Sequence, residues 1–340
     1  MQTNKDSAVP PRPVRLCRVN GYNDRHNDVV YCHPAVKSPS HTVVVFFGGD
    51  VQDFTENMQV HRDNKNYIQW NLEDTAKTLQ TGFPENHIVV IRPSRMEYKT
   101  FSCFENFVPS SKCGAPEHTP MHNALEHLEK LLVNISESLR TMKDCDIYDA
   151  TPVVKPDLVQ IDILSDSSSD NATFNKITDK QSDDKEPVKV VEAKWDRDNI
   201  YLENYDIILV GFSKGCVVLN QFLYEFHYFK TLTPEDSNLL RIISKIKEIY
   251  WLDGGHSGGK NTWITSRPLL ETLTGLGVKI HVHVTPYQIE DERRPWIKKE
   301  EKTFHDILKR QGASIDRHVH FPNVVPNINI HFEVISLFRQ

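Results

Sequence analysis

Two short apolar runs stand out in the first third of the chain. Residues Thr42–Phe47 and His87–Ile91 are apolar without alternation. Runs of this kind are typical of parallel strands that are buried on both faces. Residues 63–79 and 121–140 instead carry apolar side chains at helical spacing, which predicts an amphipathic helix in each range.

The second half of the chain alternates between the two patterns. It predicts strands at 207–210, 249–252, 279–284 and 316–321, with helices beginning at Lys214 and covering 239–247, 269–276, 296–311 and 334–338. Strands separated by helices of this length imply parallel pairing with right-handed crossovers. The pattern therefore predicts an α/β fold, a mostly parallel sheet with helices on both faces.

Two polar stretches interrupt this pattern. Residues 1–40 are polar and contain several prolines, which indicates a flexible N-terminal arm. A low-complexity insertion at about 141–199 is rich in Ser, Asp and Lys and poor in apolar residues, as expected of a solvated surface excursion. The predicted organisation is an arm at 1–40 and one domain at 41–340 that carries this insertion.

The most specific motif lies at 205–223. An apolar strand pattern leads directly into Gly211-x-Ser213-x-Gly215, and helical spacing follows at once. This is the strand–turn–helix context of a nucleophile elbow, in which a serine stands on a strained turn at the edge of the sheet. Gly211 and Gly215 fit because a Cβ at either position would collide with a neighbouring element. The motif predicts an α/β-hydrolase fold with Ser213 as the nucleophile.

A second copy of the motif, Gly255-His256-Ser257-Gly258-Gly259, also follows an apolar strand pattern. The residues after it, 260–268, lack a helical apolar stripe. We therefore interpret this copy as a loop at the carboxyl end of a strand.

In an α/β-hydrolase the acid and the histidine follow the serine along the chain, on loops after later strands. His331 comes after the last predicted strand and just before the terminal helix, which favours it as the general base. The acid is open between two residues. Asp291 follows the strand at 279–284 and is preferred, whereas Asp253 follows the preceding strand directly and is the alternative acid.

The loop after the first apolar run reads Gly48-Gly49-Asp50. Its glycines permit close approach of the backbone, and the amide of Asp50 is expected to join that of Lys214 as an oxyanion donor, with Gly49 beside them. A carboxylate is unusual next to a developing negative charge. The Asp50 side chain is therefore expected to point away and to rigidify the loop by hydrogen bonding.

The composition argues against several classes of protein. The formal net charge of −6 over 340 residues argues against a nucleic-acid binder. No stretch is apolar for long enough to span a membrane, and the six cysteines form no C-x-x-C pair. The histidines at 281, 283, 318 and 320 alternate on two strands, but without a carboxylate or cysteine in step we expect hydrogen-bonded histidines and predict no metal and no cofactor.

Several longer motifs of the chain resemble those of a known protein family. They are 46–51 around Gly-Gly-Asp, 211–221 around Ser213, 250–259, 261–263 and 283–288. From about residue 42 to the end, apart from the polar insertion, the chain resembles the metazoan family typified by the human chromosome-two open-reading-frame sixty-nine protein. The resemblance implies a hydrolase-like protein associated with mitochondria; without it, a cytoplasmic location is the expectation.

Two functions are consistent with these residues. The first is a serine hydrolase of esterase or lipase type, which cleaves an ester, thioester or lipid acyl bond through an acyl-serine intermediate. Its partner is a small acyl or lipid substrate, and the sequence neither requires nor identifies a protein partner. The alternative is a catalytically inactive binding or regulatory protein on the same fold, since a fold alone does not establish chemistry.

Overall fold

A computed structural model describes residues 12–36, 38, 41–142 and 197–339. Its centre is an eight-stranded sheet in the order β1-β2-β4-β3-β7-β8-β9-β10, and β5 and β6 form a separate hairpin. The strands are β1 (Val14–Asn20), β2 (His26–Cys32), β3 (Thr42–Phe47), β4 (His87–Ile91), β5 (Arg95–Glu97), β6 (Phe101–Cys103), β7 (Asp206–Phe212), β8 (Ile246–Leu252), β9 (Lys279–Val284) and β10 (Ile315–Val319).

The helices lie between the strands along the chain. They are α1 (Thr55–Gln59), α2 (Leu72–Gly82), α3 (Ala124–Thr141), α4 (Cys216–Leu232), α5 (Ser237–Lys245), α6 (Arg267–Gly275), α7 (Pro286–Ile289), α8 (Trp296–Arg310) and α9 (Ile328–Leu337). Short 3₁₀ segments precede α2, β7 and α4. No helix among the described residues has the length and apolar character needed to cross a membrane.

Within the large sheet, the strands from β3 to β10 pair in parallel with one another, whereas at one edge β1 pairs antiparallel with β2 and β2 pairs antiparallel with β4. The predicted strands Thr42–Phe47 and His87–Ile91 are β3 and β4, fully confirmed. This strand order, with a Gly-x-Ser-x-Gly turn between β7 and α4, is that of the α/β-hydrolase fold. The predicted fold class is therefore correct.

The prediction of a flexible N-terminal arm at 1–40 is wrong for 14–20 and 26–32, which form β1 and β2. These strands were missed because β1 mixes charged with apolar residues, and the apolar run of β2 is only four residues long and follows three polar ones. Leu16 and Val29 face the core, whereas Arg15 lies on the opposite side and pairs with Glu56 at 2.6 Å. Residues 1–11 and most of the insertion, 143–196, lie outside the described residues.

The amphipathic helix predicted at 63–79 is interrupted. A 3₁₀ segment at 64–70 ends at Asn71, whose side chain caps α2 by accepting a hydrogen bond from Asp74 N at 2.8 Å. The helix predicted at 121–140 is confirmed as α3, which begins three residues later.

Helices cover both faces of the sheet. One core contains apolar residues from α3, α4, α5, α6 and α8 together with Val43, Val45 and Leu209. The other contains residues from α2 and α9 together with Val44, Phe46 and Val210. Because the strands are parallel, the carboxyl ends of β3, β7, β8 and β9 meet at one edge of the sheet, and the candidate site lies there.

Candidate active site

The turn between β7 and α4 carries Ser213. Ser213 has a φ of +52°, in the left-handed region that few non-glycine residues adopt. It begins a 3₁₀ turn, Ser213–Gly215, which continues into α4. The residue is 8% exposed. A strained serine between a buried strand and a helix N-terminus is the geometry of a nucleophile elbow.

Glycines make this turn possible. A Cβ on Gly215 would lie 2.0 Å from the carbonyl oxygen of Phe47, and a Cβ on Gly49 would lie 2.8 Å from the Cβ of Ser213. The first clash involves backbone on both sides, so no side-chain adjustment relieves it. The elbow and the loop after β3 can therefore approach each other only where both residues lack side chains.

The second copy of the motif lies on a loop. Ser257 is exposed, and α6 begins only at Arg267. The carboxylate of Glu300 holds the loop by accepting hydrogen bonds from the backbone amides of Asn261, Thr262 and Trp263 at 2.8–3.2 Å. The geometry of a nucleophile elbow is thus present at Ser213 and absent at Ser257.

His331 lies in the first turn of α9, inside the helix and not before it. Its Nδ1 is 2.6 Å from Oδ2 of Asp253. A carboxylate accepts hydrogen bonds, so Nδ1 carries the proton and donates it, and the neutral imidazole keeps its lone pair on Nε2. His331 and Asp253 are 4% and 0% exposed.

Asp253 is itself held rigidly at the end of β8. Its φ is +47°, and it accepts hydrogen bonds from the amide of Thr285 at 2.8 Å and from the hydroxyl of Thr285 at 2.6 Å. With the bond from His331, this buried carboxylate has three hydrogen-bond donors, as a buried polar group requires. Thr285 follows β9 directly, so the sheet brings the two residues together.

The preference for Asp291 as the acid is not supported by this geometry. Asp291 accepts hydrogen bonds from Arg294 at 2.8 Å and from the amide of Arg293 at 2.9 Å. Partial burial alone would raise its pKa, but these bonds outweigh that effect and lower the pKa to about 2. The structure therefore brings the alternative acid, Asp253, to His331, and binds Asp291 to its neighbouring arginines.

The imidazole of His331 lies between two aromatic rings. The ring of Phe212, the residue before Ser213, is 4.6 Å from it between centroids, and the ring of Tyr287 is also 4.6 Å away. Among the hydrogen bonds of the described residues, none joins the Ser213 hydroxyl to His331. Such bonds are often long in the absence of substrate and shorten when substrate is bound.

The loop after β3 approaches the elbow from the other side. The amide of Gly49 donates to Oε1 of the buried Gln52 at 2.9 Å, so this amide is already occupied. Within the described chain the amide of Asp50 has no acceptor, and the amide of Lys214 lies in the first turn of a helix, where N–H groups lack internal partners. Of the three predicted oxyanion residues, Lys214 and Asp50 thus present amides suited to the role.

The carboxylate of Asp50 is held by other groups of the protein. Its Oδ1 accepts a hydrogen bond from the amide of Ser102 at 2.8 Å and lies 3.5 Å from Nζ of Lys214. Burial raises the pKa of Asp50, and the Lys214 ammonium opposes this rise. The expectation that this side chain rigidifies the loop agrees with these contacts.

The four alternating histidines form hydrogen bonds and stacked pairs. Nδ1 of His283 is 2.8 Å from Nε2 of His320, and His281 bonds to Glu248 at 3.1 Å. His318 is exposed and stacks on His283. In the described ranges, no group of three or more His, Cys, Asp or Glu side chains has an arrangement that could hold a metal ion.

Sequence reasoning missed three residues that shape the site: Thr285, Gln52 and Tyr287. Thr285 could have been found, because it directly follows a predicted strand at the same sheet edge as the elbow. Gln52 and Tyr287 act through contacts with Gly49 and His331 that only the folded chain brings about.

Comparison with known proteins places the chain in a family. The profile of the family described as C2orf69 matches residues 15–314. The chain belongs to the C2orf69 family. The resemblance noted from the motifs is therefore correct, and the match extends further toward the N-terminus than those motifs do, through β1 and β2.

Two vertebrate members of the C2orf69 family illustrate the similarity. The mouse protein named mitochondrial protein C2orf69 homolog is 39% identical over 295 residues, which is 87% of this chain and 77% of the mouse protein. The human mitochondrial protein C2orf69 is 37% identical, over 88% of this chain and 74% of its own length. These names support a mitochondrial location for this family member, as the resemblance implied.

Some solved structures resemble the fold at low sequence identity. Esterase Est22 is 11% identical, with a TM-score of 0.41, over 97% of this chain and 77% of that protein. Brefeldin A esterase, a bacterial homologue of human hormone sensitive lipase, is also 11% identical, with a TM-score of 0.40, over 98% and 74% of the two chains. The fold assignment itself rests on the strand order and the elbow.

Proposed function

We propose that this member of the C2orf69 family is a serine hydrolase that acts on an ester, thioester or lipid acyl bond. The observation that carries the proposal is the hydrogen bond of 2.6 Å between His331 and Asp253, beside a strained serine at the elbow. A buried carboxylate that fixes the tautomer of a histidine is the arrangement that general-base catalysis requires.

Each residue has a distinct role in this mechanism. Ser213 attacks the acyl carbon while Nε2 of His331 removes the hydroxyl proton, and the same nitrogen returns that proton to the leaving group. Asp253 holds the imidazole and stabilises its charged form. The amides of Lys214 and Asp50 donate hydrogen bonds to the carbonyl oxygen as it becomes negative. Water then cleaves the acyl-Ser213 ester by the same steps.

A binding or regulatory protein without catalysis is the second candidate. The observations that favour it are the low exposure of Ser213, 8%, and the absence of a hydrogen bond between Ser213 and His331 among the described residues. A protein of this kind would retain the fold and bind a ligand without turning it over.

Labelling with a fluorophosphonate probe separates the two functions. The probe phosphonylates an activated serine, so wild-type protein is expected to be labelled and Ser213→Ala is not. Ser257→Ala is the matched control, because Ser257 occupies the same place in the second motif but is exposed on a loop. Circular dichroism confirms that each variant is folded.

The outcomes lead to different conclusions. Loss of labelling only in Ser213→Ala supports the hydrolase and justifies a screen of acyl substrates. Loss only in Ser257→Ala would place the reactive serine in the other motif. Folded wild-type protein that resists the probe would contradict the hydrolase proposal and favour the binding protein.

A further inference from the structure

The side chain of Lys214 is the most unusual feature beside the elbow. It is 1% exposed, although lysine is almost never fully buried. Removing an ammonium from water is unfavourable unless it is paired and hydrogen-bonded. The partners that Lys214 finds are therefore informative about why a lysine occupies this position.

Lys214 contacts three separate segments at once. Nζ donates a hydrogen bond to the carbonyl oxygen of Cys113 at 3.0 Å, lies 3.5 Å from Oδ1 of Asp50, and is 5.9 Å from the ring centroid of Phe101. Asp50 lies on the loop after β3, Phe101 begins strand β6, and Cys113 lies on the loop between β6 and α3. One buried cation thus joins the segments that surround the loop after β3.

Further hydrogen bonds hold the loop after β3. The hydroxyl of Ser102 donates to the carbonyl oxygen of Gly49 at 2.6 Å, and the amide of Val51 donates to the carbonyl oxygen of Thr100 at 2.7 Å. These bonds fix the residues on either side of Asp50. The contact with Lys214 acts on Asp50 itself, whose amide is the second oxyanion donor of the proposed mechanism.

We propose that Lys214 is a positioning residue: its side chain holds Asp50 so that the amides of both residues point to the same oxyanion position. The inference rests on the proposed hydrolase function. Lys214 then acts twice, through its own amide as a donor and through its ammonium as the anchor of the other donor. Preorganised donors of this kind are effective because they need no rearrangement when charge develops.

The test measures the rate of fluorophosphonate labelling as a function of probe concentration. In Lys214→Met, which keeps an unbranched side chain one atom shorter and removes the charge, we expect the maximal labelling rate to fall about 10- to 100-fold. The probe concentration that gives half of that rate should change little, because ground-state binding is not affected. Asp50→Ala is expected to behave in the same way.

Conservative and control variants exclude a general loss of stability. Asp50→Asn keeps an oxygen that can accept from Ser102 and Lys214, so it should restore most of the rate lost in Asp50→Ala. Glu301→Gln weakens another ion pair, the one between the buried Glu301 and the exposed Arg317 of the edge strand β10, at 2.6 Å. It is expected to lower the melting temperature without slowing the labelling of folded protein.

The double variant Lys214→Met/Asp50→Ala decides how Lys214 acts. If Lys214 positions the loop, the double variant is no slower than Asp50→Ala alone, because Asp50→Ala has already removed the interaction that Lys214→Met removes. If Lys214 only neutralises the charge of Asp50, removing both charges restores the rate, and that result would overturn the proposal.

Amide hydrogen exchange provides a readout that does not depend on catalysis. Residues 48–52 should exchange faster in Lys214→Met than in wild type, and exchange there should be unchanged in Glu301→Gln. If wild-type protein is not labelled, the proposed hydrolase function fails, and exchange alone then decides whether Lys214 holds this loop. Unchanged exchange at 48–52 would refute the anchoring role in either case.

Discussion

At the scale of single residues, the bond from His331 to Asp253 determines which imidazole nitrogen can accept a proton from Ser213. Asp253→Asn would place an amide where the carboxylate accepts from Nδ1, and the amide could favour the other tautomer. We expect this variant to be folded and to be labelled by the fluorophosphonate about 10³- to 10⁴-fold more slowly than wild type.

Asp291→Asn is the matched comparison at this scale, since it also removes one carboxylate near the carboxyl end of the sheet. Its ion pairs with Arg293 and Arg294 do not involve His331. Its labelling rate should remain close to that of wild type. A slow Asp291→Asn together with an unaffected Asp253→Asn would contradict the assignment of the acid from geometry.

At the scale of elements, the elbow depends on the contact between the start of α4 and the end of β3. Gly215→Ala would bring a Cβ to 2.0 Å from the carbonyl oxygen of Phe47, so strand and helix must move apart. Overpacking of this kind costs about 1–3 kcal/mol of unfolding free energy. We also expect the displaced turn to abolish labelling of Ser213. Chemical denaturation measures the unfolding free energy, and the fluorophosphonate probe measures the labelling.

Gly259→Ala tests whether the effect is specific to the elbow. Gly259 ends the second copy of the motif, and a Cβ there meets no atom within 4 Å. Its unfolding free energy should change by about 0.5 kcal/mol or less, with unchanged labelling. If Gly215→Ala and Gly259→Ala have the same unfolding free energy and the same labelling, the close approach of β3 and α4 does not determine the geometry of the elbow.

At the scale of the whole molecule, several buried histidines make the free energy of unfolding depend on pH. Burial is the main cause that lowers the pKa of six histidines. The pKa falls to about 4 for His33, His118 and His256, and to about 3 for His87, His127 and His283. The unfolded chain, with an ordinary histidine pKa of about 6.5, therefore binds more protons than the folded chain between these values.

The sign of the effect follows from this difference. Stability is retained above about pH 6.5 and falls as the pH decreases toward 4, by about 1.4 kcal/mol per pH unit for each such histidine. We expect the melting temperature to be nearly constant from pH 8 to 7 and to drop steeply from pH 6 to 5. Thermal melts across this range check the prediction, and a flat profile down to pH 5 would show that these histidines are accessible to protons in the folded state.

The sequence by itself determined the features whose signal is local. Continuous apolar runs identified β3 and β4, and the helical pattern that follows Ser213 distinguished the elbow from the second copy of its motif. The strands β1 and β2 were missed, since β1 mixes charged with apolar residues and the apolar run of β2 is only four residues long, so neither pattern is distinctive until the partner strand is known.

Only the tertiary structure decided which acid reaches His331. Asp253 and Asp291 both follow strands, so their positions along the chain do not separate them. The choice depends on contacts between distant segments: Thr285 and His331 surround Asp253, whereas Arg293 and Arg294 bind Asp291. The same holds for Lys214, whose burial follows from two loops and strand β6, which lie about 100 residues or more away in sequence and converge on one ammonium.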